Sequence, residues 1–191
     1  FNLAMGMVIG ARIVYCLVYD FDQWKLDPIS ILYVNRGGLS FHGAVIGMAV
    51  AGFLFAKKHH LKFLQITDVI ALAGAPGLFF GRLGNFINGE LYGRVSDVPW
   101  AMVFPLGGPL PRHPSMLYEG ITEGIILSLI LWALLKKVKY YGVISAAFLG
   151  GYAFFRFFVE FFRQPDEQLG FYWQFLTMGQ LLCLAMMVVA Y

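Results

Sequence analysis

The sequence predicts an all-α membrane protein, a polytopic bundle of about six spanning helices joined by irregular outward-facing segments, and three observations predict it. Of 191 residues, 59% are hydrophobic and only 13% charged, against roughly 25% charged in an average soluble domain. The mean hydropathy is +0.69, and 19 Phe, 10 Tyr and 22 Gly bring more apolar surface than one compact core can hide from water. Apolar runs recur near the length of about 20 residues that a helix needs to cross a hydrocarbon core of about 30 Å. The net charge of +3 is too small and too interleaved with apolar runs for nucleic acid to be a partner. Cys16 and Cys183 lie far apart in apolar stretches, so they offer no disulfide framework or CxxC metal site and read as small buried hydrophobes.

The chain reads as a single membrane domain, 1–191, with spans at 1–19, 39–56, 66–80, 119–135, 143–162 and 171–191. It begins with Phe, and no basic stretch precedes the first apolar run, so this is not a signal peptide and a further N-terminal segment is expected. Lys57, Lys58 and Lys62 follow the second span and Lys136, Lys137 and Lys139 the fourth. The positive-inside rule puts both clusters in the cytoplasm, leaving 20–38, 81–118 and 163–170 on the outer side. All seven arginines (Arg12, Arg36, Arg82, Arg94, Arg112, Arg156, Arg163) lie within spans or toward that outer side. Arginine suits bidentate binding of phosphate or carboxylate, so their placement points to an outward-facing anion-handling cavity.

Taken in order, the first span carries Arg12 at mid-depth, where an ionised side chain costs about 2.5 to 3.5 kcal/mol and needs a partner. The second opens with Arg36-Gly37-Gly38-Leu39-Ser40-Phe41-His42-Gly43, and His42 is a candidate proton acceptor beside such a cavity, since a free imidazole titrates near 6.5. The third is the shortest. After it comes Gly81-Arg82-Leu83-Gly84-Asn85-Phe86-Ile87-Asn88-Gly89-Glu90-Leu91-Tyr92-Gly93-Arg94, which reads, rather than as an ordinary re-entrant turn, as a loop whose glycines let backbone N–H groups converge on an anion beside Arg82. His113-Pro114-Ser115-Met116-Leu117-Tyr118-Glu119 closes the outer segment, with Pro114 starting a helix that Ser115 or His113 caps. On the fifth span, Arg156, Glu160 and Arg163 share one face near the outer end. The pairs Gly6/Gly10, Gly43/Gly47, Gly77/Gly81 and Gly120/Gly124 have the spacing of close helix contacts in lipid.

Together these motifs resemble one family, the prolipoprotein diacylglyceryl transferases of the bacterial inner membrane. The carrying residues are Gly81 to Glu90 with Gly93 and Arg94, then Arg36 to Gly43, His113 to Glu119, and Arg156 to Asp166. The resemblance runs along essentially the whole chain. It departs at Met116, where the family commonly has Gln, and at the N-terminus, where the family has a further span, making seven in a complete chain.

The resemblance implies transfer of the diacylglyceryl group of phosphatidylglycerol to the lipobox cysteine thiol of a preprolipoprotein signal peptide. A thioether forms and glycerol phosphate leaves, with the active site on the periplasmic side. For that chemistry Arg82 and Arg156 suit the phosphate, and His42 is the candidate base, with the arginines themselves lowering the thiol pKa as the alternative, so that His42, Arg82 and Arg156 form the expected catalytic set. Asn85, Asn88, Glu90 and Gly93 would surround the lipid headgroup, and Glu160 with Arg163 would complete its binding site. No metal or other cofactor is expected. The rival from another class is an anion or lipid transporter that uses the same arginines without covalent chemistry.

Overall fold

The computed structural model describes residues 1–34, 37–164, 171–172 and 176–190. Its contacts divide the chain into two compact units, Phe1–Thr67 and Asp68–Tyr191.

In the first unit, helix α1 (Asn2–Val14) continues as a π-helical turn, Tyr15–Tyr19, and is followed by α2 (Phe21–Leu26), a 3-10 turn (Pro28–Leu32) and α3 (Phe41–Lys58). Ser40 is the N-cap of α3, its hydroxyl accepting from the Gly43 N–H at 3.3 Å. α1 and α3 meet through the glycine pairs that the sequence marks. A Cβ on Gly6 would strike the Gly47 carbonyl, and one on Gly10 the Gly43 carbonyl, so the two backbones approach as only glycine allows.

The partner of Arg12 is backbone. Its Nε donates to Ile31 O at 3.1 Å, its Nη1 to Gly37 O at 2.8 Å and Gly38 O at 2.9 Å, and its Nη2 to Ser30 O. The guanidinium also lies over the Tyr15 ring. Arg12 is therefore a staple between α1 and the segment after it. Gly37 and Gly38 have φ of 82° and 73°, the left-handed conformation that turns both carbonyls toward the arginine.

Helix α4 (Phe63–Asn88) crosses the boundary between the units. This is a correction: the span expected at 66–80 and the loop expected from Gly81 are one helix, about 39 Å long at 1.5 Å per residue. It runs through Pro76, Gly81 and Gly84. At membrane depth an intact helix is the cheapest way to satisfy N–H and C=O groups, which outweighs the weak helix propensity of these residues.

In the second unit, α5 (Ser115–Glu119), a π-helical segment (Gly120–Ile126) and α6 (Leu127–Leu135) follow one another without a break. The helix starts behind Pro114, but neither expected cap forms: the Ser115 hydroxyl donates to Leu91 O at 3.1 Å, and His113 pairs through Nδ1 with the Tyr118 hydroxyl at 3.1 Å. Gly120 and Gly124 face α4, where a Cβ on Gly124 would lie 2.6 Å from that of Phe79. Helix α7 (Val143–Val159) is shorter than its expected span, and α8 (Met178–Ala190) follows a two-residue antiparallel ribbon of β1 (Phe171–Tyr172) and β2 (Leu176–Thr177). The core joins Ala71 and Ala75 of α4, Leu127 and Leu131 of α6, and Ile144 of α7. At the N-terminus of α7, the Asp68 carboxylate accepts from Gly142 N at 2.7 Å and from Ser145 N at 2.8 Å.

Asn2–Tyr19, Phe63–Asn88 and Ser115–Leu135 are long and apolar enough to cross a membrane, and Val143–Val159 and Gly179–Ala190 are shorter apolar helices. Cys16 and Cys183 are buried free thiols. The protein is an all-α membrane protein, as its composition predicts.

Candidate active site

The site in the second unit is built from residues at the ends of three helices, α4, α5 and α7. On α4, the i, i+3 spacing sets Arg82 and Asn85 on one face, and the Arg82 Nη1 donates to Asn85 Oδ1 at 3.4 Å. The helix stops in a Schellman turn: Gly89 N bonds Phe86 O at 3.1 Å, Glu90 N bonds Asn85 O at 3.0 Å, and Gly89 takes φ 68°. That turn folds Glu90 back over the helix end, where its Oε1 accepts from Asn85 Nδ2 at 2.9 Å and from Asn88 Nδ2 at 3.2 Å. The bond from Asn85, then that from Asn88, favours the charged form and holds the Glu90 carboxyl below its ordinary pKa. Of the glycines in this motif, only Gly89 has positive φ. The expected N–H nest is thus replaced by a helix end bearing a row of side chains, Arg82, Asn85, Asn88 and Glu90.

On α7 and the turn after it, Arg156, Glu160 and Arg163 follow at spacings of four and three. The Arg156 Nη2 lies 3.2 Å from Glu160 Oε2, and the Arg163 Nε lies 3.9 Å from the same oxygen. Thr177 donates its hydroxyl to Glu160 Oε1 at 3.1 Å. Gly179 leaves room for that carboxylate, since a Cβ there would come within 3.0 Å of Oε1.

Glu119 of α5 joins the two arginine groups. It is fully buried, with its Oε2 2.6 Å from Arg82 Nη2 and 2.7 Å from Arg156 Nη1, and its Oε1 3.4 Å from Arg163 Nη1. Three guanidiniums from two parts of the chain thus converge on one carboxylate, with Glu160 as a second. Three positive charges face two negative ones, so this ion-paired set keeps one positive charge in excess. Beside Arg82 and Asn85 an open groove of about 410 Å³ runs along α4, lined also by Gly74, Gly77, Leu78 and Gly81.

The segment between α4 and α5 braces this arrangement. Gly93 pairs with Arg163 as an isolated bridge, and its N–H bonds His113 O at 2.8 Å. A Cβ on Gly93 would strike Phe162 O, so glycine is required where these chains cross. Arg94 Nε donates to Arg163 O at 2.8 Å. Arg112 Nε donates to Gly107 O at 3.0 Å and its Nη1 to Gly93 O at 3.3 Å, with the guanidinium over the Tyr92 ring. His113, Tyr118 and Phe162 meet edge to face, and Trp100 Nε1 donates to the Tyr118 hydroxyl at 2.6 Å. Met116 is fully buried, the apolar placement that suits methionine at that position.

The structure therefore gathers Arg82, Asn85, Asn88 and Glu90 at one helix end, and Arg156, Glu160 and Arg163 beside Glu119. Arg12, Arg94 and Arg112 bond backbone carbonyls, which corrects the reading of all seven arginines as one anion-handling population. Arg36 lies outside the described residues. His42 lies in the first unit, exposed in the first turn of α3. Glu119 and Thr177, and with them Glu123 and Tyr152, which interact electrostatically with the same arginines, are absent from the sequence-based site. Glu119 and Glu123 carried a usable signal, carboxylates four residues apart in an apolar span, whereas Tyr152 and Thr177 carried none.

A sequence profile of the prolipoprotein diacylglyceryl transferase family matches residues 1–191. The chain is 50% identical over 184 residues to the phosphatidylglycerol–prolipoprotein diacylglyceryl transferase of Pseudoalteromonas translucida, covering 96% of this chain and 69% of that protein. It is 50% identical over 184 residues to the same enzyme of Vibrio vulnificus strain CMCP6, covering 96% and 68%. With that of Coxiella burnetii the identity is 48% over 187 residues, covering 97% and 72%.

Proposed function

Because the chain belongs to the prolipoprotein diacylglyceryl transferase family, we infer that it transfers a diacylglyceryl group from phosphatidylglycerol to a prolipoprotein. The acceptor is the lipobox cysteine thiol, and the reaction takes place on the outer side of the bacterial inner membrane. The thiol proton is lost, sulfur bonds the glycerol carbon, and the bond from that carbon to the phosphate oxygen breaks. The products are a thioether and glycerol phosphate.

The observation that carries this reading is the convergence of Arg82, Arg156 and Arg163 on the buried Glu119. A phosphodiester brings one negative charge and gains a second as the carbon–oxygen bond breaks. Guanidinium donors already fixed by Glu119 and Glu160 stabilise that developing charge without reorganising. Arg82 and Arg156 take the phosphate, with Arg163 and Glu160 completing its site. Asn85, Asn88, Glu90 and Gly93 surround the glycerol headgroup, and the carboxylate of Glu90 accepts from its hydroxyls. His42 accepts the thiol proton, the role that its motif implies.

The test is a product assay on the full chain in detergent with phosphatidylglycerol and a lipobox peptide, read by mass spectrometry and by enzymatic detection of glycerol phosphate. The parent forms the diacylglyceryl adduct. Arg82→Ala and Arg156→Ala, still folded, lose it by about 100-fold or more, the scale of removing one preorganised donor. A parent that binds phosphatidylglycerol and forms no adduct would overturn the transferase reading in favour of lipid binding or transport.

A further inference from the structure

Glu123 is a fully buried carboxyl for which the transfer chemistry has no use. It lies one turn beyond Glu119, on the π-helical segment Gly120–Ile126, and neither of its oxygens has a hydrogen-bond donor among the described residues. Such segments are rare and occur frequently at functional sites. The charged and titratable groups that act on it are Arg82 from α4, Glu119 from α5, Tyr152 and Arg156 from α7, Arg163 just beyond α7, and Cys183 from α8.

Its charge decides the charge of the whole set. Arg82, Arg156 and Arg163 against Glu119 and Glu160 leave one positive charge. With a proton on Glu123 that excess is available to a phosphodiester, which carries one negative charge. Without the proton the set is neutral, and Glu123 competes with the lipid for the same guanidinium field in a place where no donor relieves it. An anion on the arginines and a proton on Glu123 therefore favour each other, as any two linked ligands do.

We propose that Glu123 is a proton-binding positioning residue: the phosphate-bearing lipid settles on Arg82 and Arg156 together with one proton held by Glu123, which matches the charge of the cluster to that of the lipid. This rests on the reading that the cluster binds phosphatidylglycerol. The proton comes from solvent on binding and returns to solvent when glycerol phosphate leaves. It is separate from the thiol proton, and no covalent bond of the chain changes.

The test is calorimetric titration of the full chain in detergent with a short-chain phosphatidylglycerol, in two buffers of different ionisation enthalpy and over a range of pH. The parent takes up about one proton per lipid on the alkaline side, where its affinity falls about tenfold per pH unit. In Glu123→Gln the proton uptake disappears, and binding keeps the tightest affinity of the parent at all pH values. A side chain with a purely structural role would move the unfolding temperature and leave the proton count alone. Lipid binding with no proton uptake by the parent overturns the proposal, and that measurement needs no variant to fold. Uptake that persists in Glu123→Gln overturns it as well. If the parent binds no phosphatidylglycerol, or Arg82→Ala binds it as the parent does, the cluster is not the lipid site and the underlying reading falls too.

Discussion

Replacing Glu119 by Gln tests whether one buried carboxylate organises the site. The change keeps the shape of the side chain and removes its charge, leaving Arg82, Arg156 and Arg163 with Glu160 as the nearest ion-paired carboxylate. At an effective dielectric constant near 20, each guanidinium with its charge centre about 4 Å away contributes about 4 kcal/mol of gross attraction. Most of that offsets the cost of burying the charges, and removing one partner of a buried pair leaves a net loss of about 3 to 5 kcal/mol. The folded fraction relative to the unfolded therefore falls by roughly a hundredfold to several thousandfold. Unfolding in mixed micelles, followed by tryptophan fluorescence, measures the loss, and the product assay measures what it does to transfer. Transfer falls further than stability accounts for, because guanidiniums no longer fixed by Glu119 must be ordered during the reaction. A Glu119→Gln protein with parental stability and parental transfer would refute the reasoning, since the three contacts would then contribute nothing.

Four further outcomes follow from the packing and the titration. Gly47→Val destabilises the protein by about 1 to 3 kcal/mol, because its new side chain meets the Gly6 carbonyl and the Gly10 Cα rather than movable side chains. Gly77→Ala meets nothing within 4 Å and raises stability by up to about 1 kcal/mol through helix propensity; thermal unfolding of the pair checks both signs. Asp68→Ala removes the acceptor of the Gly142 and Ser145 N–H groups and costs about 1 to 2 kcal/mol, read as a lower unfolding temperature. The lowered pKa of Glu90 contributes stability that is fully present above the unfolded value and is lost as pH falls through the folded one. The unfolding temperature of the parent therefore declines more steeply with acid than that of Glu90→Gln, and parallel curves would contradict the bonds from Asn85 and Asn88.

What was legible in the sequence was local. The spacing of Arg156, Glu160 and Arg163 is a property of one helix face, and the glycines at 6, 10, 43 and 47 mark a contact that both helices announce separately. The course of α4 was not legible, because Gly81, Gly84 and Gly89 look alike in the sequence. Only Gly89 ends the helix, and it does so because the two bonds of the Schellman turn form there. The pair Gly77/Gly81 has the spacing of a helix contact, yet a Cβ at either meets nothing within 4 Å among the described residues. Spacing shows that a close approach is allowed; the partner that uses it comes from the tertiary fold.

The arginines show why charge is harder to read than periodicity. A guanidinium carries five donors and is satisfied equally by carbonyls that turn inward, as around Arg12, or by a carboxylate, as around Arg82. Which acceptor it meets is set by contacts distant in sequence, so the outward bias of seven arginines overstated the charge available to an anion. The missing half of that inference lay in the carboxylates. An ionised side chain at membrane depth needs a partner whatever its sign, and applied to 119–135 the rule that flagged Arg12 also flags Glu119 and Glu123. Glu119 then accounts for Arg82, Arg156 and Arg163 at once. Glu123, with no donor to either oxygen among the described residues, is left as the group whose proton sets the charge that the site presents.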